Sequence, residues 1–303
     1  MIIRAGPGIA CALGAAALYG FVPNLVRAAY LNGVPPVEST FFRTATVAVI
    51  FAILAMARGE RLLVPRAAIS SFLGQCIATL VISVGYLASV QFIPVGLAVI
   101  IFFSFPVLIM LAAPIIEGHS PGTGRILIAL FAFTGLAVAV GPSFEALDIR
   151  GIVLAACASL ACVLQFFSGR SISSHMTPAV FGSLVHAAIL PATFFIALYA
   201  GGGTIHFFLG SPVTGIGLAF MAGVGLLYVC AYMSQMLSLR FAPASTVAPY
   251  YNLEPVVTTA VAALLLGERL SLNQYAGGSM VLAALVGTSL IGTRKTEKAQ
   301  AKP

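Results

Sequence analysis

The feature that most restricts this chain is a series of apolar runs, each about twenty residues long, recurring from end to end with only short polar breaks. At a rise of about 1.5 Å per residue, a helix of that length matches the hydrocarbon thickness of a bilayer. Hydropathy places the runs at 8–28, 38–57, 67–89, 92–115 and 124–141, then at 151–169, 178–200, 213–237, 243–266 and 272–292. No stretch is left over for a water-soluble domain. The expectation is an all-α integral membrane protein of ten transmembrane helices, because only helices or closed barrels satisfy their own backbone in lipid. Composition agrees: 8% of residues are charged, against about a quarter in soluble domains.

The net charge of +7 does not point to nucleic acid, because the basic residues sit at span ends and form no patch. They do orient the bundle. Arg4, Arg58, Arg61, Arg66, Arg125, Arg170, Arg240, Arg294, Lys295, Lys298 and Lys302 would share one side, with Arg150 and Arg269 on the other and Arg27 near that surface. Basic loops stay in the cytoplasm, so both termini are expected there. Arg4 and the apolar run behind it also have the outline of a secretory signal with small residues at 15–17. The run continues past them to Arg27 at a span-like length, so it is read as a retained first helix in the plasma or inner membrane. Cys11, Cys76, Cys157, Cys162 and Cys230 lie in apolar runs without metal-ligand spacing, which predicts free thiols and no metal or cofactor.

An internal repeat is legible in the prolines. Pro94 and Pro106 stand twelve residues apart in the fourth run, Pro243 and Pro255 twelve apart in the ninth, at a constant offset of 149. Glu117 and Glu268 close the same two runs. The economical division is a first half at 1–146, a second at 147–293 and a basic tail at 294–303. Five spans per half force the second copy to enter the membrane from the opposite side, giving two inverted five-helix repeats. The charges are consistent with this, since Gln91 before the fourth run is replaced by Arg240 before the ninth.

An ionisable group within hydrocarbon costs about 2.5 to 3.5 kcal/mol or more, so the few inside these runs are functional candidates. Glu254 leads, in Asn252-Leu253-Glu254-Pro255 half-way along the ninth run. Pro255 has no amide hydrogen, so a carbonyl near Tyr251 is expected to be freed beside the carboxylate. Such a turn could bind a substrate amine or take up a proton, or the carboxylate could only tie helices together. The equivalent residue in the first half is Phe105. Arg43 stands just over one turn into the second run, placed either to snorkel to the interface or to turn inward toward an anionic group. Ala12, Ala16, Gly20 and Asn24 share one face of the first helix, and Cys157, Ala161, Gln165 and Gly169 share one face of the sixth. These faces are packing seams or, through Asn24 and Gln165, part of a shared path. Tyr19, Tyr86, Tyr228, Tyr232, Tyr250 and Tyr251 are candidate cavity residues or interface anchors. His186 is expected to be a buried, hydrogen-bonded histidine rather than a proton relay.

The motif Asn252-Leu253-Glu254-Pro255, followed by Leu266-Gly267-Glu268-Arg269-Leu270 and the Gly277-Gly278 helix, resembles the EamA family of the drug/metabolite transporter superfamily. The first half carries the same plan more weakly, with Arg43, Pro106 and Glu117 and with Phe-Ser-Phe-Pro in place of the Leu-Glu-Pro motif. The resemblance covers all but the basic tail. It implies two inverted repeats around a central cavity and, commonly, export of amino acids or related metabolites, with a metabolite or nucleotide-sugar-like uptake or exchange carrier as the alternative, and with Glu254 and Arg43 at recurrent charged positions and Glu117 and Glu268 at structural helix ends. The expected partners are a small-molecule substrate and the lipid bilayer; a homodimer is one assembly open to such a chain. An intramembrane enzyme would need a nucleophile and base or a metal cluster, and neither HExxH nor a glycine-flanked serine elbow is present. A channel or scaffold would not need proline-interrupted helices at matching places. ATP-driven pumping would need a GxxxxGK[ST] loop, which the chain lacks.

Overall fold

A computed structural model describes residues 5–141, 147–205, 214–266 and 269–300, and all of the regular structure among them is helical. The first half comprises α1 (Ala5–Leu31), α2 (Pro36–Ala57), α3 (Ile69–Ser89), α4 (Val95–Phe102), α5 (Phe105–Ile116) and α6 (Thr123–Val140). The second comprises α7 (Ile149–Ile172), α8 (Pro178–Ala200), α9 (Gly215–Phe241), the single turn α10 (Ala244–Val247), a 3₁₀ segment (Ala248–Asn252), α11 (Leu253–Leu266) and α12 (Leu272–Gln300). Starts are set by local chemistry. The side chains of Asp148, Thr177 and Thr214 accept from Arg150, Val180 and Gly217 amides at the N-caps of α7, α8 and α9, and Pro36 and Pro178 occupy first-turn positions where no amide hydrogen is needed.

Eight helical runs are long and apolar enough to cross a membrane, counting α4 and α5 together as Val95–Ile116. The other two expected spans differ for separate reasons. The ninth contains no uninterrupted helix of that length, because the 3₁₀ segment divides it. The tenth coincides with α12, whose side chains are described only as far as Thr288. The fourth span is also broken, at Phe103–Ser104, just before Pro106 in the first turn of α5. A proline there costs nothing at a helix start but would clash within a continuous helix. Glu268 and the adjoining Gly267 lie outside the described residues.

The helices pair in a pattern that survives exchange of the two halves. Helix α1 packs on α9 as α7 packs on α3, α2 packs on α8, and α6 packs on α12. Glycines permit the tightest of these approaches. A Cβ on Gly277 would overlap the Gly135 carbonyl and Ala139, and one on Gly135 would fall 2.7 Å from Met280 Cβ. A Cβ on Gly20 would fall 2.7 Å from Val257 and 2.9 Å from the Glu254 carbonyl. The Ala12/Ala16/Gly20/Asn24 face therefore forms a seam, in which Asn24 Nδ2 donates to the Thr258 carbonyl at 3.0 Å. Small residues on both sides let backbones approach where lipid provides no hydrophobic drive.

Two ends of the bundle are distinguishable by what meets there. At one, Gly8 lies against Ala242 and the Ser238 carbonyl, Thr177 donates to Glu60, Ser71 bonds Ser171, and Glu117 accepts from the backbone and hydroxyl of Ser245. This end carries Arg58, Arg61, Arg66, Arg170 and Arg240. At the other, Thr214 bonds Asn32, Gly151 abuts Phe92 and Ile93, and the Arg150 guanidinium stacks on Phe92 at 4.4 Å. Asp148 hydrogen-bonds the Arg150 side chain and amide, which lowers its pKa below the ordinary carboxylate value.

The α6–α12 crossing generates a direct expectation. Gly277→Ala forces the two backbones apart and should destabilise the protein by about 1–3 kcal/mol, read as a lower melting temperature in detergent by a thiol-reactive dye. Gly14→Ala, whose added methyl meets nothing within 4 Å, should melt like the parent.

Candidate functional site

The site begins with the break in the ninth apolar run. Pro255 cannot donate to the Tyr251 carbonyl, yet that carbonyl is not left open. The chain tightens into the 3₁₀ segment, and the carbonyls of Tyr250 and Tyr251 both accept from the amide of Leu253. The freed carbonyl expected from the sequence is thus taken up by tighter turn bonding, which satisfies the backbone within hydrocarbon. What remains unsatisfied is side-chain chemistry. Asn252 donates from Nδ2 to the Pro249 carbonyl at 3.1 Å, while its buried Oδ1 has no partner among the described residues.

Glu254 opens α11, and Thr258 Oγ1 donates to its backbone carbonyl at 3.0 Å. Among the described residues its carboxylate makes no ion pair or hydrogen bond, and it is partly accessible. It lies within electrostatic range of Tyr19, Tyr86, Cys162 and Tyr251, which come from α1, α3, α7 and the 3₁₀ segment. No ion pair joins it to Arg43 among the described residues. Arg43 turns inward rather than snorkelling: its guanidinium sits 4.3 Å from the Tyr228 ring centroid and Nη2 lies 3.4 Å from Ser83 Oγ. Tyr228 in turn meets Tyr19 edge-on at 5.4 Å and stacks on Tyr232 at 6.3 Å.

Beneath these groups runs a polar layer joining both halves. Tyr19 OH donates to Gln235 Oε1 at 2.8 Å, Gln235 Nε2 to Gln165 Oε1 at 3.2 Å, and Gln165 Nε2 to Thr79 Oγ1 at 3.2 Å. One turn nearer the basic end, Ser168 Oγ donates to Gln75 Oε1 at 2.7 Å and Gln75 Nε2 to Tyr232 OH at 3.3 Å. Gln165 and Asn24, both candidates from the sequence, go to different partners. His186 is buried, its Nδ1–H donating to the Gly182 carbonyl at 2.8 Å, with Nε2 unpartnered among the described residues. Gln75, Thr79, Ser168 and Gln235 were not among the sequence candidates. Their only sequence signal is an amide or hydroxyl in an apolar run, and serine and threonine are too common in spans for that to select them.

Accessibility divides the site along the bundle axis. Tyr19, Tyr86, Arg43, Tyr228 and Glu254 are all partly accessible. Toward the basic end, Gln75, Tyr232, Met236, Ser238, Leu239 and Tyr251 are all buried. That end is also latched, between two helices of the second half. From α7, Arg170 Nη1 donates to the last carbonyls of α9, those of Leu239 at 2.7 Å and Arg240 at 2.8 Å, a favourable position for a cation at a helix C-terminus.

Comparison with known proteins adds three findings. The model of the EamA-like transporter family matches the chain twice, over residues 6–141 and 149–290. Comparison with curated protein sequences finds no match. A crystal structure described only as that of a protein superposes with a TM-score of 0.79 at 15% identity, covering 94% of this chain and 98% of the other; at that identity the likeness concerns the fold alone.

Replacing Arg170 by Gln removes a charged donor from two carbonyls. Such bonds contribute about 1.5–3 kcal/mol each, so the basic end should open more often. In a cysteine-free background, a thiol introduced as Ser238→Cys should label with maleimide about tenfold faster when Arg170→Gln is added. An unchanged rate would mean that the latch does not hold that end shut.

Proposed function

Because the chain belongs to the EamA-like transporter family, we propose that it is a secondary transporter exporting small polar or amphipathic metabolites, amino acids or related compounds among them, by alternating access. In this reading it spans the membrane ten times, as two inverted five-helix repeats. The contacts at the two ends support that reading, since α1 begins at the basic end where α7 finishes. The positive-inside rule makes the basic end cytoplasmic, along with both termini, in the plasma or inner membrane. The latched side then faces the cytoplasm and the accessible tyrosines, Arg43 and Glu254 face outward.

The observation that carries the proposal is the Glu254 carboxylate: partly accessible, within electrostatic range of Tyr19 and Tyr86, and without an ionic or hydrogen-bonding partner among the described residues. An intramembrane carboxylate held only for packing would be expected to have a partner. One without a partner suits an amine-bearing cargo, or a proton exchanged for it, each of which would neutralise the charge during crossing. Asn252 Oδ1 offers a second acceptor at the same break. Arg43 stacks on Tyr228, which meets Tyr19 edge-on. Opening toward the cytoplasm would require release of the Arg170 latch and separation of the Gln165–Gln235 and Gln75–Tyr232 bonds, which join α7 and α3 to α9. Interhelical bonds of this kind contribute only about 0.6 kcal/mol each on average, small enough to be exchanged in a transport cycle.

Metabolites accumulating outside cells that make the parent protein, the Glu254→Gln variant or neither should identify the cargo, at matched membrane abundance. The expected result is a solute exported by the parent and reduced about tenfold or more by Glu254→Gln, the size of a lost charge-assisted hydrogen bond. Equal export by parent and variant would make Glu254 structural; no excess over empty cells would overturn export.

A further inference from the structure

Separate from the tyrosine cluster, a cleft of about 400 Å³ opens on the flank of the bundle between the halves. One wall is α4 and α6, through Val95, Gly96 and Val140; the other is α11 and α12, through Val256, Gly278 and Leu282. Its lining includes Pro255, the residue after Glu254. At the end of the bundle opposite the basic one it continues, past the shared residues Ala260, Leu270 and Tyr275, into a depression that includes Arg269.

The serine and threonine hydroxyls along this cleft are already in use. Thr259 Oγ1 donates to the Pro255 carbonyl at 2.9 Å and Ser279 Oγ to the Tyr275 carbonyl at 2.8 Å, while Gln274 Oε1 accepts from the Ser271 amide at 2.8 Å. The interior thus has little to offer a polar cargo and suits a hydrocarbon chain. The mouth is different. Arg269 is exposed and makes no ion pair among the described residues, and a guanidinium matches a phosphate with two parallel donors. Apolar interior and cationic mouth together fit one chemistry.

We propose that this cleft is a binding site for a membrane phospholipid, with an acyl chain between α4/α6 and α11/α12 and its phosphate on Arg269. The chain contributes little net affinity, since it leaves one hydrocarbon environment for another; the arginine supplies the preference. A lipid seated here touches both halves beside the break that presents Glu254, so its presence resists or favours their relative movement.

The chain contains no tryptophan, so a single reporter can read the site in purified protein. Leu282→Trp places it in the cleft, and Leu160→Trp, 58% exposed on α7 at a similar distance from its helix start, reads ordinary surrounding lipid. The probe is phosphatidylglycerol with brominated acyl chains, titrated into phosphatidylcholine nanodiscs. The expected result is an apparent affinity about fivefold higher at the cleft reporter than at the surface reporter, the effect of one arginine near a membrane surface. Arg269→Gln should abolish the excess and Arg269→Lys should retain most of it. Equal quenching at both reporters, or an excess that Arg269→Gln leaves intact, would overturn the site. The readout needs no transport, so its failure is distinct from failure of the exporter reading.

Discussion

Everything about this site depends on one rule of the hydrocarbon interior: a backbone group that loses its helical partner must find another within the protein. Pro255 removes the amide that the Tyr251 carbonyl would have met four residues on. The chain answers by tightening into a 3₁₀ segment over Ala248–Asn252, whose last carbonyls share the Leu253 amide, so the interruption leaves no bare carbonyl at Tyr251. The cost is geometric. A 3₁₀ segment is longer and thinner per residue than an α-helix. Glu254 stands in the first turn of that helix, and Gly20 on α1 lets the turn approach so closely that its own Cβ would sit 2.9 Å from the Glu254 carbonyl.

The polar layer below it obeys the same logic with side chains. Amides and hydroxyls from α1, α3, α7 and α9 bond one another because lipid has nothing to offer them. Four of the five bonds in that layer and the tier below cross between the two halves, and the fifth, Gln235 to Gln165, joins α9 to α7 within the second. On one side of the layer Gln75, Tyr232, Met236, Ser238 and Leu239 are buried and Arg170 caps the end of α9; on the other the tyrosines stay partly accessible. The same fold is therefore asymmetric across a nearly symmetric arrangement of helices.

Much of the architecture was legible in advance because helix length in a bilayer is set by hydrocarbon thickness, a constraint visible residue by residue. The expected limits 178–200 coincide with α8, and 38–57 lies within α2. The matched prolines marked both broken spans, since proline acts on its own chain. The site was less legible. Glu254 stood out because a lone charge in an apolar run is rare. Gln75 and Gln235 did not, and the expected open carbonyl at Tyr251 was wrong because the local rule names the lost bond but not the turn that replaces it. Arg43 illustrates the same limit: counting along α2 allowed it to snorkel or turn inward, and only the position of the Tyr228 ring on α9 decides between them.

By itself, then, the sequence determined the long apolar helical runs, the prolines that mark the two breaks and the carboxylate beside Pro255, because these depend on hydropathy and covalent geometry along the chain. Only the tertiary structure decided which groups meet: that Arg43 stacks on Tyr228 and not on Glu254, that Gln165 joins Gln235 and not Asn24, and that Arg170 caps α9. Partners brought from 40 to 216 residues away, as Arg43–Ser83 and Tyr19–Gln235 are, depend on how helices rotate and cross. That is set by small residues and packing shape at every interface at once, and no local pattern records it.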